Sequence, residues 1–305
     1  MKVFAYDIKP RSGFRDLPRS STLWGHLAWA IRELEGEDAL QSWIDEHHSA
    51  LAEDRPPPVR LSSAFPKDTL PRPLLPPVAI SDTVLRKRAK ALRWLPLDAF
   101  ARVASGGEET LVELLASDEL PQLPPIEKSS RTRVAMDRRT GTAATGLLFE
   151  EVLHWFSGTL TIYVQTGPAI HARRIAELLE FVGWTGYAGG ASVGNGRFEL
   201  AGGPREITLP SSPSGTHRLL LGPGLPPKDA DGWWRTETHW GRMGGRFAGA
   251  ETPFKRPYLR LVEGSVVRSP RPALLDVTPP TEPGEGVRVW ENLDPLTLPM
   301  EVRRG

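Results

Sequence analysis

The chain has 305 residues and carries 38 Lys and Arg against 37 Asp and Glu, a formal net charge of +1. It is therefore no polycation, and any surface for a polyanion must come from local segregation of charge. The absence of cysteine excludes disulfides and thiolate zinc sites, and 30 prolines with 29 glycines exclude a bundle of long helices.

The length suffices for two ordinary domains. The opening MKVFAYDIKPRS lacks the apolar run of a signal peptide, and no uncharged stretch approaches a membrane span. The expectation is a soluble, cytoplasmic protein with no membrane partner.

VFAYDI (3–8) alternates, with Phe4, Tyr6 and Ile8 on one side, and predicts a half-buried strand. After an arginine-rich connector, SSTLWGHLAWAIREL opens with hydroxyl residues suited to an N-cap. It then places Leu23, Leu27, Ala30, Ile31 and Leu34 on one helical face. VRLSSAF (59–65) and TLTIYV (159–164) predict further strands, HARRIAELLEFV (171–182) a helix, and RFEL a short closing strand. This is the β-α-β-β-α-β order, interrupted between its second and third strands by an insertion at about 67–145. The insertion holds a basic helical stretch, TVLRKRAKALRWLPLDAF (83–100), and a basic arm, KSSRTRVAMDRRTGTAATG (128–146). From residue 202 onward short strands alternate with Gly and Pro, so the expected division is 1–201 and a strand-rich 202–305.

GYAGGASVGNGRF (186–198) sets five glycines in thirteen positions between a helix end and a strand start, and its plainest reading is a flexible connector behind a helix cap at Gly183. Mononucleotide motifs do not fit. Gly189 and Gly194 have P-loop separation, but Asn195 stands where the lysine belongs, and Glu199 stands where a dinucleotide fingerprint needs its third glycine. Their order is also strand, loop, helix, the reverse of this one. What such a run can do is present a concave row of backbone N–H donors to phosphate oxygens. Gly189, Gly190, Ser192, Gly194, Gly196 and Arg197 are the candidates here, and a plain flexible connector is the alternative.

In the arm, Lys128, Arg131, Arg133, Arg138 and Arg139 oppose a single acid, Asp137, which makes a candidate phosphate track. On a hairpin, Arg131 and Arg133 would share one face while their neighbours face the sheet; a solvated insertion is the alternative. Arg11, Arg15 and Arg19 precede the first helix and could touch nucleic acid, Arg19 being counted among the RNA-binding candidates, and Arg86, Lys87, Arg88, Lys90 and Arg93 form a basic helix surface that reads mostly as a wet face. His26, off the centre of the first helix's apolar face, is the candidate general base for metal-independent RNA cleavage, although a histidine at such a boundary is more often structural. No histidine spacing suggests a metal site, no cofactor is implied, and the pairs Glu37–Asp38 and Glu150–Glu151 read as polar helix faces. Trp233, Trp234 and Trp240 suit either a core or a partner surface, with core the simpler reading.

STLWGHLAWAI after a strand, LSSAFP with PRPLLPP, DRRTGTAATGLLFEE, LLEFVGWTGYAGGASVGNGRFEL and LVEGSVV together resemble the RAMP superfamily of CRISPR proteins. The resemblance covers the chain to about residue 200 and thins beyond it to WGRMGGRF and EGSVV; the glycine loop before a short strand is its most specific part. The most similar branch supplies subunit four of the type III-A Csm effector complex, which caps the crRNA 5′ end. The resemblance implies an α+β fold of two ferredoxin-like (RRM-like) domains, a glycine loop against the crRNA backbone, and an inserted thumb that packs between nucleotides of the 5′ handle. It also implies docking on the large polymerase/cyclase-type signature subunit and on the backbone RAMP subunit, without catalysis. Processing-type relatives can carry a catalytic histidine where His26 stands, so the alternative is an endoribonuclease that processes precursor crRNA. A protein-only scaffold is a third reading.

Overall fold

A computed structural model describes residues 1–302 apart from 138, 168, 213, 230, 250–252 and 281–285. The chain begins with β1 (Lys2–Pro10), α1 (Ser20–Glu35), α2 (Glu37–Ala52) and β2 (Val59–Pro66). The inserted region adds β3 (Thr69–Pro71), α3 (Thr83–Ala91), β4 (Trp94–Pro96), α4 (Leu97–Ala116) and a ribbon of β5 (Ile126–Met136) and β6 (Ala143–Phe156). Then come β7 (Leu160–Thr166), α5 (Ala169–Thr185), β8 (Phe198–Leu200) and β9 (Arg205–Glu206). The remainder adds only short strands among the described residues: β10 (His217–Leu220), β11 (Gly232–Trp233), β12 (Thr236–His239), β13 (Tyr258–Leu261), β14 (Val266–Val267), β15 (Leu274–Asp276), β16 (Trp290–Asn292) and β17 (Thr297–Met300).

The first sheet runs β2-β7-β1-β8, antiparallel throughout, with β9 added beside β8 on the edge of β1. Its helices follow the expected β-α-β-β-α-β order, with α2 as an extra helix after α1. A second sheet runs β11-β14-β10-β17, and four two-stranded ribbons complete the fold. The molecule is thus mixed, with five α-helices among the described residues and several small antiparallel sheets.

β1 departs from the half-buried expectation, because Phe4 through Ile8 are all buried. Phe4, Tyr6 and Ile8 enter a core with α1 and α5, where Leu23, Leu27, Ile31, Ile175, Leu178 and Val182 meet them. The opposite face is covered too. There Ala5 and Tyr163 join a second core built from Phe100, Val103 and Leu111 of α4, Leu95 of β4, and Leu219, Val266 and Leu298 of the second sheet. Residues on both sides of position 201 share this core, so a face that alternation assigns to water is sealed by chain from 90 and 210 positions away.

The hydroxyls opening α1 do not cap it. Arg19 occupies the cap position with no side-chain cap bond, while Ser20 and Ser21 are buried. Ser20 N–H instead donates to Ser63 Oγ (3.1 Å), within a bulge of β2 at Ser62–Ser63. That bulge frees Ser63 N–H for Leu221 O (2.8 Å), just past β10, and Ala64 N–H for Pro18 O (2.7 Å), so β2 is tied both to the end of a second-sheet strand and to the connector before α1. The single helical stretch expected over 83–100 is two helices. Leu92 is extended (ψ 123°) and Trp94–Pro96 form β4, which buries Leu95 against β3 instead of carrying it on a basic helix.

Candidate nucleic-acid interface

The glycine loop joins α5 to β8 as the order of elements requires, but Gly183 is not its cap. The helix runs on to Thr185, and a Cβ on Gly183 would lie 2.3 Å from Phe198 O, so glycine there lets β8 approach the helix. Gly186 (φ 99°) ends the helix, and Gly190, Gly194 and Gly196 also hold positive φ around one 3₁₀ turn at Ala191–Val193.

Two aromatic posts fix this loop. Tyr187 is buried, with its ring beside those of Phe14 and His26, and its hydroxyl accepts from Arg19 N–H (2.9 Å). His26 Nε2 accepts the N–H of Ala188 (2.8 Å). Burial, aided by the positive charge of Lys255, lowers the His26 pKa to about 4, so the ring is neutral and its acceptor nitrogen is engaged by the loop.

The segment Arg11–Arg15 brackets the loop against the ribbon. Arg11 N–H donates to Arg197 O (2.8 Å), Arg197 N–H to Ser12 Oγ (2.9 Å) and Gly196 N–H to Gly13 O (2.9 Å). On its other side Phe14 exchanges backbone bonds with His154 of β6 (2.9 and 2.7 Å), and its ring meets Phe156 edge-on. Loop and ribbon are therefore tied through one five-residue strap.

Three polar side chains converge on Glu151, which is 2% exposed at its side chain. Its Oε1 accepts from Arg15 Nε (2.7 Å), from Arg15 Nη2 and, at 3.4 Å, from Asn195 Nδ2 of the loop. Its Oε2 lies 2.5 Å from Arg133 Nε as an ion pair without hydrogen-bond alignment. Burial would raise the Glu151 pKa, but the guanidiniums of Arg15 and Arg133 outweigh it and hold the carboxyl below its ordinary range. The reading of Glu150–Glu151 as a polar helix face is thereby corrected: both lie on β6, and Glu151 is the ionic junction of the site. Neither spacing nor composition marks it, because Arg15 is 136 positions away.

The basic arm forms the expected hairpin, with Arg131 opposite Glu151 and Arg133 opposite Phe149 on one face. Among the described residues the other face meets no sheet. Val134, Leu148 and Val152 are 41%, 70% and 44% exposed, and the ribbon stands free beyond its base, where Leu153 is buried. Lys128, Arg131 and Arg139 are exposed with no ion pair among the described residues, whereas Arg138 lies outside them. In the loop Ser192 and Arg197 are exposed, and the amides of Gly189 and Gly190 have no hydrogen-bond partner among the described residues.

Arg19 is placed differently from the others. Its side chain is 17% exposed and faces Glu237 (3.0 Å), Glu263 (3.3 Å) and Asp16 (3.4 Å). Glu237 also holds Arg260 (2.7 Å), which is almost fully buried, so this network joins the start of α1 to the β12–β13 ribbon. Among the tryptophans, Trp233 and Trp234 are half-buried, but Trp240 is 69% exposed and does not belong to a core. No helix among the described residues is long and apolar enough to cross a membrane.

These features define an α+β protein in which a helix-to-strand glycine loop and an inserted basic ribbon meet beyond the end of β1. The chain belongs to the RAMP superfamily, whose sequence profile matches residues 17–199. It is 26% identical over 284 residues, 88% of either chain, to the "CRISPR system Cms protein Csm4" of Thermococcus onnurineus (strain NA1). Its fold matches a chain of the crystal structure of a "Csm1-Csm4 cassette in complex with pppApA" with a TM-score of 0.62, at 19% identity and full coverage of both chains. It matches a chain of the "Csm3-Csm4 subcomplex in the type III-A CRISPR-Cas interference complex" with a TM-score of 0.61, at 17% identity over 99% of this chain and 100% of the other.

Proposed function

We propose that this chain is a non-catalytic subunit of a type III-A CRISPR effector complex that holds the 5′ handle of a crRNA. The observation that carries the reading is the free-standing ribbon with exposed Lys128, Arg131 and Arg139, strapped at its base to a glycine loop with open amides. Guanidinium forks grip phosphates and stack on unpaired bases, and amides add donors with no side chain in the way. The exposed apolar side chains Val134, Leu148 and Phe149 suit a ribbon that inserts between nucleotides. Likeness to Csm4, seen in complexes named for Csm1 and Csm3, supports docking on a large signature subunit and on a backbone RAMP subunit. In the same reading residues 202–305, which hold the second sheet, are the second, ferredoxin-like unit of a cytoplasmic protein.

The rival reading, RNA cleavage through His26, asks a histidine whose pKa lies at about 4 and whose Nε2 already accepts Ala188 N–H to act near neutral pH. One assay separates the two: the full chain is incubated with repeat RNA in EDTA. Intact, bound RNA is expected; specific cleavage lost in His26→Ala would establish the nuclease instead. If about six cationic groups neutralise phosphates, the log–log salt slope of binding is roughly −4. A slope near zero would remove the ribbon's role.

A further inference from the structure

We propose that Arg15, Arg133 and the Gly189–Gly190 amides form one phosphate-binding pocket, and that buried Glu151 is the internal counter-ion that positions both arginines. The inference rests on the RNA-binding reading above and deepens it, since it assigns a ligand role to Arg15 and a positioning role to Glu151.

The geometry carries it in three steps. Arg15 commits Nε and Nη2 to Glu151, which leaves Nη1 free, and that nitrogen lies 3.3 Å from where a Cβ on Gly189 would stand. Arg15 thus lies directly over the two glycines whose amides lack partners, and any side chain at 189 would meet it. The nearest approach of Arg133 to Glu151 is through Nε, its terminal nitrogens make no hydrogen bond among the described residues, and its side chain is 31% exposed. The junction is also unbalanced in charge. One buried carboxylate faces two guanidiniums, and the surplus positive charge sits where donors from strap, ribbon and loop converge. Glu151 is 2% exposed and also accepts from Asn195 of the loop, so one carboxylate links both arginines to the glycine segment. A phosphodiester is the ligand this donor set fits: acceptor-only, anionic and able to take forked N–H groups together with main-chain amides.

Glu151 has an effect opposite in sign to what charge counting predicts, and this makes the proposal testable. Binding of a fluorescein-labelled single-stranded oligoribonucleotide to the full-length chain is measured over a series of salt concentrations. Arg15→Ala and Arg133→Ala are each expected to weaken binding roughly tenfold and to reduce the steepness of the salt slope by about 0.7. Glu151→Gln removes a negative charge, yet binding weakens because neither guanidinium is held. In an Arg15→Ala, Arg133→Ala background the same change has no further effect. Equal or tighter binding by Glu151→Gln, or an Arg15→Ala slope equal to that of a salt-dependent parent, overturns the pocket while leaving RNA binding intact. A parent chain with no salt-dependent binding overturns the RNA-binding reading itself. Arg15 is 41% exposed at its side chain, so its variant answers the question even if Glu151→Gln unfolds.

Discussion

His26 and Tyr187 illustrate how a residue type that suggests chemistry can instead hold a backbone. Both are pinned beneath the glycine loop, and the imidazole is useful there only as a neutral acceptor. This has a thermodynamic consequence. Burial lowers the pKa values of His26, His47 and His239 to about 4, below the ordinary histidine value. As pH falls from about 6.5 toward 4 the unfolded chain takes up protons that the folded chain refuses. Each histidine therefore removes up to about 1.4 kcal/mol of stability per pH unit in that window. The expected outcome is a urea midpoint that declines with acidification from pH 6.5 and less steeply in His26→Gln, whose amide oxygen can still accept Ala188 N–H. A midpoint flat over this range would mean that these rings are protonated in the folded chain.

Among the elements, those read from periodicity were recovered: β1, α1, β2, β7, α5 and β8 all exist, because each is long or regular enough to show its own apolar spacing. The residues that failed were those decided by distant chain. Gly183 reads locally as a cap, yet it is the contact point for β8, fifteen positions later. Leu95 reads as the apolar side of a basic helix, yet it belongs to β4 and the second core. In the candidate site, the glycines and the basic arm were legible from composition alone. The strap, Asn195 and Glu151 were not, since their meaning lies in a junction assembled from residues 15, 133, 151 and 195. At Gly183 the close approach sets a clear expectation. Gly183→Ala forces its methyl against Phe198 O, and the resulting shift of β8 costs about 1–3 kcal/mol, read as a lower denaturant midpoint with an unchanged m-value.

At the scale of the whole molecule, the first sheet is buried on both faces, and its second face is closed by α4 together with strands from beyond residue 210. A chain cut after residue 201 would leave Ala5, Tyr163, Phe100 and Leu111 without their partners from Leu219, Val266 and Leu298. Residues 1–201 expressed alone are therefore expected to lack a cooperative thermal transition, as measured by circular dichroism, and to bind hydrophobic dye. A sharp two-state melt of that fragment would show that the second core is dispensable.

The place of β1 at the centre of its sheet sets a timetable for synthesis. β1 is made well before its partners, since it pairs with β7, which starts at Leu160, and with β8, which starts at Phe198. At roughly 5–20 residues per second, β1 waits on the order of ten seconds or more for its neighbours. Throughout that interval Phe4, Tyr6 and Ile8 have no sheet to enter, so slower synthesis between β1 and β8 prolongs the exposure of these side chains.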